Sequence, residues 1–96
     1  MGIERTVRAV AEAAAGYLSG SKPFAVVSVD NENRATFVGA YKSRLIANGI
    51  ATRSMGDHVD GWVRAYVAAR NNRGAIIVLT GRVVVGKYTP CGECAS

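Results

Sequence analysis

The chain has 96 residues, 49% of them hydrophobic and 20% charged, with a formal net charge of +5. That length makes one domain spanning residues 1–96, with a modest core and no room for a second, and that composition excludes disorder. The twelve basic residues are scattered singly, so the charge tolerates an anionic partner without forming a basic stripe that demands one.

Ile3, Val7, Val10, Ala14 and Leu18 recur at the period of one helix face, which predicts a helix over residues 3–18 that "SGSKP" stops. "FAVVSVD", residues 24–30, is rich in β-branched side chains and reads as a strand. "NENR" follows as a turn, and "ATFVGAY", residues 35–41, reads as the return strand of a hairpin. "KSRLIANGIATRSMGD" is open between a helical turn and an ordered loop. From Asp57 a helical stripe of Val59, Trp62, Val63, Tyr66 and Val67 predicts a second helix, capped by Asp57 or Ser54 and ended by "NNRG" near residue 70. "AIIVL", residues 75–79, is short and wholly apolar, as for a strand covered on both faces. "TGR" then turns the chain into "VVVGKY", residues 83–88. The expectation is a small α/β domain of two or three layers, with a mixed sheet of three or four strands.

No segment is long and apolar enough to cross a membrane. The stretch "ERTVRAVAEAAAGYL" carries charges through its middle, unlike a signal peptide, so the expected compartment is cytoplasmic. In a reducing compartment a Cys-x-x-Cys pair binds metal or does redox work more often than it staples a fold.

The only two cysteines, Cys91 and Cys94, follow Pro90 in "TPCGECAS", and the only histidine is His58. One imidazole and two thiolates are three ligands, which suits an open zinc site with a position left for solvent rather than a closed structural one. Asp60 stands two residues after His58. At a helix start the two side chains flank one spot, where the positive helix end favours ionised water. The alternatives are a redox dithiol, a disulfide, and half of a four-thiolate site shared with another chain; a redox dithiol wants a substantial helix after its first cysteine. Trp62 and Tyr66 read as core.

The constellation "HVD", then a strand, then "PCGEC" resembles the zinc-dependent cytidine deaminase superfamily, whose signature is H-x-E…P-C-x-x-C. "PCGEC" is the form of the free-nucleoside and blasticidin-type members, and "HVDG" is similar to the "HVEG" of bacterial deaminase toxins that act on DNA. The gap from His58 to Cys91 is similar to theirs, and the first helix and hairpin occupy the places of the family's first helix and strand pair. The resemblance implies a cytidine-deaminase-like fold, with Zn2+ held by His58, Cys91 and Cys94. It implies Asp60 in place of the glutamate that passes a proton between water and base, and ammonia lost from C4 of a cytosine. The implied partner is a cytosine-containing small molecule or single-stranded nucleic acid.

Two departures accompany it. Asp60 is one methylene shorter than glutamate, a retreat of about 1.5 Å. The family continues past the cysteines with a helix and strands, whereas this chain reads as C-terminally short, so a homo-oligomer or a partner chain is expected to complete that side. The other readings are a non-catalytic relative that binds zinc or a partner, and a small basic α/β binding domain.

Overall fold

The computed structural model describes residues 2–54, 56–58, 61–71, 73–81 and 83–89, with side chains described in 4–54, 64–71, 73–81 and 83–89. Helix α1 spans Gly2–Ala15. Thr6, Val7, Val10, Ala11 and Ala14 form its buried face, the spacing that lays one stripe of a 3.6-residue helix on a core. It ends at Ala15, short of residue 18, where Tyr17 N–H turns back to the Ala14 carbonyl at 2.9 Å. Tyr17 then stacks on Phe37, ring centroids 3.8 Å apart.

Strands β1 (Phe24–Val29) and β2 (Ala35–Tyr41) form the expected antiparallel hairpin. Its turn is built by Asp30, whose carboxylate accepts from the backbone N–H groups of Glu32 and Arg34, both at 2.9 Å. Asn33 supplies the left-handed residue, φ 62°, a conformation that asparagine tolerates better than most. The Arg34 N–H, more than any other group, holds the Asp30 carboxyl below its usual range. The turn is tied to the rest of the molecule from two sides. Thr6 Oγ1 donates to Asn33 Oδ1 at 2.8 Å, and Arg64 donates to the Asp30 carbonyl at 3.1 Å.

The open segment after β2 is a helix, α2, Arg44–Ser54. The Ser43 hydroxyl caps it, accepting from the N–H groups of Leu45 at 3.1 Å and Ile46 at 3.4 Å. Only Ala47 and Ala51, one turn apart, are its buried residues. Strands β3 (Gly56–His58), β4 (Gly61–Arg70), β5 (Ile76–Thr80) and β6 (Val83–Tyr88) complete the order.

The helix expected from Asp57 to residue 70 is therefore not formed; residues 61–70 are the strand β4. The physical reason lies in what covers the sheet. Tyr66 and Ala68 of β4 face the core under α1, while Ala65 and Val67 face the core under α2. A strand buried on both faces loses its polar–apolar alternation, so its side chains fit a helical period as readily as a strand. The content of "WVRAYV", aromatic and β-branched, sides with the strand. "NNRG" ends a strand instead: Asn71 Oδ1 accepts from the N–H groups of Arg73 and Ala75, at 2.9 and 3.0 Å.

Strand order is β2-β1-β4-β5-β6, with β3 pairing β4 off that path, and every pairing is antiparallel. This corrects the expected mixed sheet of three or four strands. Layering follows from alternation along each strand. Ala25, Val27, Val29, Ile76 and Val78 join Val7, Val10 and Ala14 of α1, whereas Val26 and Leu79 join Ala47 and Ala51 of α2. The result is three layers, one helix on each face of the sheet.

Helix α1 reaches β6 because residue 86 has no side chain. A Cβ there would lie 2.7 Å from Val7 Cγ2, inside any tolerable contact, and Val7 is itself buried and stiff at χ1. Gly86→Ala is expected to destabilise the fold by about 1–3 kcal/mol through overpacking, read as a lower urea midpoint. A neutral result would show that α1 does not press on β6.

Candidate functional site

His58 is the last residue of β3, and its strand runs back along β4 with Gly56 opposite Val63, Asp57 opposite Trp62 and His58 opposite Gly61. It therefore stands on a hairpin, not at a helix start. The arrangement in which a positive helix end favours ionised water at His58 does not apply, because such a field belongs to the first turn of a helix. Asp60, Cys91 and Cys94 lie outside the described residues, as does Val59. Among the described residues no three His, Cys, Asp or Glu side chains gather as a metal-binding group.

Register fixes where the described parts of the chain approach these positions. Tyr88 of β6 lies opposite Ile76 of β5, and Ile76 lies opposite Arg70 of β4. Arg70 and Gly61 are the two ends of β4, separated by roughly 30 Å at a strand's rise per residue. The chain thus leaves β6 at one end of the sheet while His58 stands at the other. Cys91 and Cys94 follow Thr89 in sequence.

Sequence reasoning did not foresee a groove of about 530 Å³ between α1 and β6, floored by Val7, Val85 and Gly86 and flanked by Arg5, Arg8 and Tyr88. Arg8 Nε donates to Glu12 Oε2 at 3.1 Å. The Glu12 carboxylate, with the Tyr88 hydroxyl contributing less, holds the Arg8 guanidinium above its usual value. Lys87 and Glu4 also line it, so three cations stand against the Glu4 carboxylate and the Glu12 carboxylate that pairs with Arg8, and the groove is mildly positive. The signal for it was the i,i+3 pair Arg5 and Arg8 beside a glycine in an edge strand, legible only once α1 is placed on β6.

Among the described residues no helix is long and apolar enough to cross a membrane. No family model matches the chain, and neither a curated protein nor a solved structure shows detectable similarity to it.

Proposed function

We propose that this chain is a zinc-binding domain of the cytidine deaminase type, removing ammonia from a cytosine-containing nucleoside or nucleic acid. The observation that carries the reading is the residue set itself: the sole histidine, a carboxylate two residues later, and the sole two cysteines in Pro-Cys-x-x-Cys. Such a donor set suits zinc, a borderline-soft ion that takes thiolate and imidazole together. The leading helix and the β1–β2 hairpin, in the order that the resemblance implies, support the same reading.

In this reading His58, Cys91 and Cys94 would hold the ion. Bound there, zinc would supply the acidification of water at neutral pH. Asp60 takes a proton from the attacking water and delivers it to the base, so that ammonia departs from C4. Because His58 stands on a strand, no helix end at that residue would add to the charge that the metal would supply.

The strand position of His58, away from the β6 end of the sheet, favours a second reading: a basic α/β domain that binds a partner and has no hydrolytic activity. Metal analysis separates the two. The deaminase-type reading expects one zinc per chain and uracil formed from cytidine, deoxycytidine or single-stranded DNA. A reduced, metal-free protein that takes up no added zinc removes it and leaves the binding domain.

A further inference from the structure

Strand β6 is an edge of the sheet, and among the described residues it pairs with β5 alone. Its first two residues are apolar yet open to solvent, Val83 at 63% and Val84 at 58%. An unpaired edge carrying exposed valines is a template for another strand. Helix α2 does not shield it: α2 packs on β1, β2 and β4.

We propose that the β6 strands of two copies of this chain pair antiparallel about a two-fold axis between Val85 and Gly86, joining the two sheets into one. A second copy fits this edge because the strand complements itself. About that axis Val83 falls opposite Tyr88, Val84 opposite Lys87, and Val85 opposite Gly86. Each exposed valine meets an aromatic ring or an aliphatic lysine stem, and the bulkier Val85 meets the residue without a side chain.

Two features of β6 discourage pairing with strands in general: Lys87, and the irregularity opposite Val78 and Leu79. The two-fold register keeps the lysines apart, since each lies against a valine. A shifted register that set Lys87 against Lys87 would place like charges directly opposite and is disfavoured. The same edge features that exclude other partners therefore select one alignment of this one.

Sedimentation velocity of the reduced full-length chain tests this, with circular dichroism confirming that each variant folds. Wild type is expected to be a dimer. Val84→Lys, which sets lysine against Lys87 twice per interface, is expected to weaken association about tenfold or more. Val84→Lys combined with Lys87→Glu restores it. A monomeric wild type, or a Val84→Lys chain that pairs as tightly as wild type, overturns the pairing.

Discussion

Ile76→Ala is expected to lower the unfolding free energy by about 2–5 kcal/mol, the cost of a cavity where a large aliphatic side chain is deleted from a core. Ile76 is fully buried and starts β5 between Arg70 of β4 and Tyr88 of β6. It packs in the cluster under α1 with Val10, Val27 and Ala68, so the void would border both helix and sheet. A domain of this size commonly has only about 5–15 kcal/mol in total, so this one change removes a large fraction. Two controls locate the effect. Ile77, next along the strand, is only partly buried against the α2 cluster, and its alanine variant should cost less. Leu45 is 81% exposed, so Leu45→Ala should fall within about 0.5 kcal/mol of wild type. The measurement is the urea midpoint at unchanged slope. An Ile76→Ala loss below that of Ile77→Ala would mean that β5 presents its other face to α1.

The contrast between Ile76 and Leu45 also explains which elements the sequence announces. Helix α1 writes a full stripe, because Val7, Val10, Ala11 and Ala14 all touch the sheet. Helix α2 writes almost none. It rests on the sheet through Ala47 and Ala51, carries Gly49 in its middle, and turns Leu45 and Ile46 outward. Ile50 packs beside the two alanines on the same cluster, but the two exposed apolar residues blur the stripe, and only the Ser43 cap betrays the start of the helix. The misreading of β4 as a helix has the complementary cause. Once α1 and α2 occupy opposite faces, β4 is buried on both, and periodicity stops distinguishing strand from helix. Both difficulties share one tertiary fact, the second helix layer, which no local window contains.

The same fact bears on the candidate site. The identities of His58, Asp60, Cys91 and Cys94 are legible because they depend on residue type and spacing. The position of His58 was not, because it was inferred from the helix that β4 replaces. A motif survives an error in secondary structure, whereas the electrostatics attached to it do not. The helix-end contribution at His58 is therefore dropped, while the ligand set stands as proposed on its chemistry.

Asp60→Ala is expected to cut uracil formation by about 10²–10⁴-fold, the usual contribution of a general acid–base group, while zinc content stays at the wild-type level. His58→Ala, in contrast, should lose the metal and the activity together. The two variants thus split holding the ion from moving the proton, which a loss of activity alone would not do. Asp60→Glu sharpens the point. Asp60 falls one methylene short of the glutamate in the resembling family, and a misplacement of roughly 1 Å costs on the order of a hundredfold. If the carboxylate sits too far from the reacting water, Asp60→Glu accelerates turnover by up to about that factor. If β3 and β4 hold residue 60 closer than a helix start would, the longer side chain slows it, and in either case the rate responds to carboxylate reach. Equal rates for the aspartate, glutamate and alanine forms, each with zinc bound, would remove residue 60 from the chemistry and assign the proton transfer to another group.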